Sequence, residues 1–190
     1  MAALGAESET RLITNAQQGD RNAFGELIRR HHAGVVNVVY RMCGDVQLAE
    51  DAAQDAFIQA WLHLRSFRPG SSLRNWLFRI AVNAALDVLR GKETTAEALE
   101  TLTLADAAAD PEAALSQKEQ AMLIQRAILS LTETSRAVLV LREYNDLTYQ
   151  EIAAALDIPV GTVMSRLNYA RGRLREILKS ESGYRENKND

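Results

Sequence analysis

"LTYQEIAAALDIPVGTVMSRLNYAR", residues Leu147 to Arg171, carries two apolar stripes at helical spacing on either side of a short turn. Thr148 and Glu151 stand three apart, the spacing of a capping box, which predicts a helix beginning there. Tyr149, Ile152, Ala153 and Leu156 then recur at 3.6-residue intervals and supply one buried face. Asp157 tolerates a left-handed backbone, and Pro159 suits the first turn of a following helix, where a backbone donor is spare. Beyond it, Val163, Leu167, Ala170 and Leu174 form a second stripe. That stripe leaves Thr162, Ser165, Asn168 and Tyr169 off the core, with Arg166, Arg171, Arg173 and Arg175 along its flanks. The layout is that of a helix-turn-helix whose second helix enters a major groove. An ordinary helical hairpin with a solvated basic face fits the same periodicity equally well, so the rest of the chain has to decide.

With 190 residues, 47% hydrophobic and 25% charged, the chain can hold one domain or two small ones and is too apolar to be disordered. Three prolines, ten glycines and few alternating β-branched runs predict an all-α fold. The start, "MAALGAESETR", lacks a basic region followed by an apolar one, so no signal peptide is expected. No apolar run has the length of a bilayer span, so no membrane insertion is expected either, and the expected compartment is the cytoplasm. The single cysteine, Cys43, excludes an internal disulfide and a multi-cysteine zinc site, and reads as a small core residue. His31, His32 and His63 belong to no metal-ligand or triad pattern, and "RPGSS" lacks the lysine of a phosphate-binding loop. Neither catalysis nor a cofactor is expected.

The overall charge of −3 hides a segregated pattern. Trp61 to Lys92 holds six basic residues against one acid, a net of +5, and Pro159 to Ser180 has a net of +4. Between them, Glu93 to Gln120 carries a net of −6. Two basic patches divided by an acidic connector point to two places that meet phosphate. Helical periodicity continues through the first half, in stretches from about Glu9 to Gln18, Asn22 to Met42 and Gln47 to Leu64. After the loop "RSFRPGSS", Ser71 or Ser72 can cap a fourth helix that Gly91 is placed to end. Residues 92–115 have little periodicity and read as a flexible acidic linker. Ser116 and Glu119 repeat the capping-box spacing and predict the opening of a second helical domain, residues 116–190.

"AEDAAQDAFIQAWLHLRSFRPGSSLRNWLFRIAVNAALDVLR", residues Ala49 to Arg90, an acidic linker, and then "LTYQEIAAALDIPVGTVMSRLNYARGRLRE" together resemble an extracytoplasmic-function (ECF) sigma factor of bacterial RNA polymerase. The resemblance spans roughly Gly19 to Leu178, and two separated motifs in this order are far more specific than either alone. It implies that residues 1–91 form a region-two domain, which binds the polymerase clamp and opens the minus-ten element. Residues 116–190 become a region-four domain, which reads the minus-thirty-five element and sits on the polymerase flap. The resemblance gives Gln47, Glu50, Asp51 and Gln54 the clamp-binding face. Phe67, Arg68, Ser71 and Ser72 in the loop, with Arg74, Asn75, Arg79 and Asn83 on the next helix, become the strand-opening surface.

Melted strands need a basic groove, polar base-edge contacts and aromatic platforms. Trp61 and Trp76 fall on buried stripes, which leaves Phe67 as the better aromatic platform. Thr162, Ser165, Arg166, Asn168, Tyr169, Arg171, Arg173 and Arg175 become the duplex-reading set. Met164 and Tyr169 depart from the family pattern, standing where a lysine and an arginine are frequent. The implied partners are core RNA polymerase, promoter DNA both duplex and melted, and an anti-sigma factor. The rival readings are a free-standing dimeric helix-turn-helix regulator and a protein–protein adaptor whose basic faces only solubilise it.

Overall fold

The computed structural model describes residues 2–68, 70–93 and 111–186, and every regular element among them is helical. The first half contains α1 (Ala2–Gln17), α2 (Arg21–Cys43), α3 (Val46–His63) and α4 (Leu73–Glu93). The second contains α5 (Pro111–Leu129), α6 (Glu133–Glu143), α7 (Tyr149–Leu156) and α8 (Val160–Glu186).

Local chemistry sets most of these boundaries. The Asp20 carboxylate accepts from the Asn22 and Ala23 amides at 2.8 and 3.1 Å, starting α2. Gly44, left-handed at φ 78°, ends it, and Asp45 starts α3 by accepting the Leu48 amide at 3.0 Å. Ser72 caps α4 through the Asn75 amide at 3.3 Å, as the loop sequence predicts. Two expectations need correction. Gly91 does not end α4, which runs on to Glu93. Ser116 does not open the second domain with a capping box, because α5 begins at Pro111 and passes through it; proline's fixed φ and missing donor suit a first helical position. Of the expected linker, residues 94–110 lie outside the described residues.

In the first half, α2, α3 and α4 pack around α3's seam of Ala49, Ala52, Ala53, Ala56 and Ala60. These small side chains let neighbouring helices approach closely, and Phe78, Leu27, Met42 and Leu64 fill the remaining space. Trp61 rests on Phe24, with ring centroids 4.9 Å apart, in keeping with a core role.

In the second half α6 is buried all the way round, from Ser135 to Leu141. A short helix of this kind sits between partners on every side, and α6 touches α8, α7, α2 and α4. Arg136 is carried into that core. Its guanidinium donates to the carbonyls of Met42, Leu129 (2.5 Å) and Leu131 (2.9 Å). Burial pulls its pKa down from the ordinary value, opposed by Glu133 and Cys43.

Candidate functional site

The helix-turn-helix is built by the devices its sequence announces. Thr148 Oγ1 accepts the Glu151 amide at 3.3 Å, and Glu151 Oε2 accepts the Thr148 amide at 2.8 Å, closing the capping box. The Thr148 amide first, then its hydroxyl, hold the Glu151 carboxyl below its usual range; Asn75 and Arg74 add to this, and burial opposes it. At the other end of α7, Asp157 turns left-handed at φ 53°, and the Asp157 and Ile158 amides both donate to the Ala153 carbonyl. Arg142 donates to the Leu147 carbonyl at 2.9 Å and lies over the Tyr149 ring, fixing the entry to α7.

Helix α8 then buries Val163, Leu167 and Ala170, with Leu174 partly covered. Ser165, Asn168, Tyr169, Arg171, Arg173 and Arg175 are exposed, and Thr162 and Arg166 are half-buried. The predicted set therefore comes together on one helix. Two of its arginines already have partners. Arg171 donates to Glu143 Oε1 from Nε at 3.0 Å and from Nη2 at 2.5 Å, which raises its pKa; Arg173 pairs with Glu176 at 3.1 Å. Met164 and Tyr169 are 48% and 55% exposed, so neither serves the core.

On α4, Asn75, Arg79 and Asn83 follow one another at four-residue steps along one side; Arg79 and Asn83 are exposed and Asn75 is half-buried. Arg74 is exposed, with its guanidinium 5.1 Å above the Phe78 ring. Arg68, Ser71 and Ser72 are exposed in the preceding loop, where Gly70 takes φ 94°. Phe67 is a correction: at 5% exposure it packs on Trp76, centroids 5.3 Å apart, and offers no open aromatic platform. A large apolar ring in a short loop finds more surface to cover inward than outward.

On α3, Gln47, Glu50, Asp51 and Gln54 are all exposed, opposite the alanine seam. Gln47 donates to Asp51 at 3.2 Å, whereas Glu50 leans to His32 on α2 at 3.4 Å, so the four do not form one patch. The same outer stripe continues into Ile58 and Leu62, 50% and 64% exposed, which the sequence reading missed. Their signal was an apolar residue at i+4 and i+8 from Gln54, on the polar side of the helix. Also missed were Gln125 and Arg136, polar residues at buried register positions inside apolar runs.

Among the described residues no cluster of His, Cys, Asp or Glu could hold a metal, and no helix is long and apolar enough to cross a membrane.

A family model described as Sigma-70 region 2 matches residues 27–95, and another, Sigma-70, region 4, matches residues 121–174. The RNA polymerase sigma-H factor of Pseudomonas aeruginosa is 36% identical, with 91% of this chain and 95% of the relative covered. The ECF RNA polymerase sigma factor SigW of Bacillus subtilis is also 36% identical, with coverages of 88% and 95%. The ECF RNA polymerase sigma-E factor of Escherichia coli is 38% identical, with coverages of 84% and 88%. Among solved structures, CnrH in complex with the cytosolic domain of CnrY superposes with a TM-score of 0.70 at 26% identity, over 91% of this chain and 98% of that one.

Proposed function

Since the chain belongs to the ECF sigma factors of bacterial RNA polymerase, we propose how its two halves divide that work, residue by residue. Region two meets the core enzyme through the outer stripe of α3, with Gln47, Asp51 and Gln54 giving way to Ile58 and Leu62, and Glu50 at its edge. An acidic face repels DNA and suits a basic protein surface, here the polymerase clamp. The basic side of α4, with Arg68, Ser71 and Ser72 in the loop before it, takes the melted minus-ten strand. Asn75, Arg79 and Asn83 there reach for base edges, and Arg74 for phosphate. Phe67 supports this surface from beneath through Trp76.

Region four lays α8 in the major groove of the minus-thirty-five element and rests on the polymerase flap. Ser165 and Arg166 meet base edges, Arg173 and Arg175 meet phosphates, and Thr162, Asn168 and Tyr169 border them. Arg171 must exchange Glu143 for a phosphate. The protein acts in the cytoplasm as a non-enzymatic initiation factor. An anti-sigma factor is a further partner; the similar chain CnrH is itself seen with a protein partner, the cytosolic domain of CnrY.

The observation that carries this reading is the capped helix-turn-helix with Ser165 and Arg166 on α8, joined in one chain to the basic exposed side of α4. Run-off transcription with purified core polymerase tests it. The chain should direct initiation at asymmetric promoters with two dissimilar elements, and Arg166→Ala should relax the choice at one base pair by roughly 1–3 kcal/mol. Equal weakening on every promoter variant would remove the base-reading role. Binding to a palindrome without transcription would return the dimeric-regulator reading.

A further inference from the structure

Helix α1 carries none of the polymerase or DNA contacts proposed above, yet its last residue reaches the loop before α4. Gln17 is half-buried at the end of α1, and its Nε2 donates to the Leu64 carbonyl at 3.0 Å and to the Phe67 carbonyl at 2.9 Å. A primary amide has two N–H donors, and both go to one stretch of backbone lying 47 and 50 residues further along the chain. The helix that carries them is itself anchored. Ala16, 3% exposed, is buried beside Gln17, and Glu9 Oε1 lies 2.7 Å from His31 Nε2 on α2.

The stretch that Gln17 grips is where the chain leaves α3. A 3₁₀ turn, Leu64–Ser66, follows that helix, and the carbonyls at such an end lack partners further along it. The Phe67 amide takes up the Leu64 carbonyl at 3.0 Å, and the Phe67 ring packs on Trp76. Gln17 supplies the third restraint, on the Phe67 carbonyl. That carbonyl shares a planar peptide unit with the Arg68 amide, so the bond sets the direction in which the chain enters Arg68. Downstream, the Ser71 amide donates to the Arg68 carbonyl at 3.3 Å, and Ser72 caps α4. Arg68, Ser71 and Ser72 are exposed, so backbone restraints rather than packing must place them.

We propose that Gln17 is a positioning residue for strand opening: its side-chain amide ties the Leu64 and Phe67 carbonyls to α1 and so aims the loop that carries Arg68, Ser71 and Ser72 at the melted strand. The proposal rests on the strand-opening assignment above and extends it to α1, which that assignment leaves without a role. The role calls for donors. Two carbonyls face the group, so an ammonium can serve there, a carboxylate is repelled and a thioether makes no bond.

Three variants follow: Gln17→Met keeps the length and removes both donors, Gln17→Glu turns two oxygens toward the carbonyls, and Gln17→Lys restores donors. The probe is a duplex promoter that the wild-type holoenzyme selects from a randomised library, with opening followed by permanganate reactivity. The first two variants should open it about tenfold more slowly, as the loss of one or two hydrogen bonds implies. Gln17→Lys should recover most of that rate. Unfolding midpoints and affinity for core polymerase should change little in all three. Fluorine NMR of the free full chain labelled with fluorotryptophan reads the tie directly, because Trp76 carries the Phe67 ring. Its resonance should shift in the first two variants and return in the third. Wild-type opening rates in the first two variants overturn the proposal, as does a defect that Gln17→Lys fails to recover or that follows a loss of stability or of core binding. If the wild-type holoenzyme opens no promoter, the sigma assignment falls, while the Trp76 resonance still decides whether Gln17 holds the loop.

Discussion

In the α1–α4 bundle, the exposed stripe of α3 is aimed by what lies behind it, a seam of alanines pressed between α2 and α4. In the α5–α8 half, the exposed face of α8 is aimed by what precedes it, a capping box at Thr148 and a left-handed turn at Asp157. One half positions function by packing over a broad area. The other does so by a few hydrogen bonds at fixed offsets. The first should therefore tolerate surface changes and fail on core changes, whereas the second should respond to single polar substitutions and to pH.

The sharpest way to break this contrast is Phe78→Ala. Phe78 is 2% exposed and lies against Gly34 on α2, so its removal should destabilise the chain by about 3–5 kcal/mol. Urea denaturation monitored by circular dichroism would measure the loss; one below 1 kcal/mol would mean that packing does not hold the bundle.

Next is Asp51→Lys, on the surface that the same packing aims. The unfolding midpoint should hardly move. Affinity for core polymerase in a fluorescence titration should fall by roughly 2 kcal/mol, about thirtyfold, with Asp51→Asn milder. Unchanged affinity at low salt would make this stripe a solvated face.

Thr148→Ala probes the other half and should reduce its stability by about 1 kcal/mol, since the hydroxyl's cap bond from the Glu151 amide and its bond to the Glu151 carboxylate are both lost. Acid gives the same test without mutation. Because the folded Glu151 carboxyl sits below its ordinary value, its stabilisation is complete above an unfolded pKa of about 4.3. It is lost as pH falls through the lower folded value. Unfolding midpoints measured from neutral pH downward should thus decline in the wild type, and less steeply in Glu151→Gln.

The smallest effect is expected from Met164→Lys on α8. Folding should change by less than about 0.5 kcal/mol at this exposed position. Affinity for all duplexes should rise together, and the salt dependence should steepen by about 0.9 for one added phosphate contact. A change confined to one base pair would instead assign Met164 to base reading.

The helix-turn-helix was legible because its determinants are local: Thr148 to Glu151, Asp157, and a stripe at steps of three and four all lie within one short window. The Ser72 cap was legible for the same reason. Phe67 was misread because its burial depends on Trp76, nine residues on in another element. The start at Pro111 was missed because the Ser116–Glu119 spacing offered a competing cap, and a helix already under way leaves such a cap no free amide. Gln125 and Arg136 answer carbonyls more than 80 residues away in the chain, and no periodicity within α5 or α6 encodes that partner.

A helix covered on all sides has a consequence for dissection. Part of the cover over α6 is α2, which belongs to the other half. Cut free as a fragment, the second half would show to solvent the flank that α2 now hides, including Gln125 and the rim of Leu129 against Gly44. Such a fragment should be less soluble than the whole chain and should self-associate with rising concentration, and the α1–α4 fragment, which bares the matching flanks of α2 and α4 while its alanine seam stays enclosed, should share the tendency.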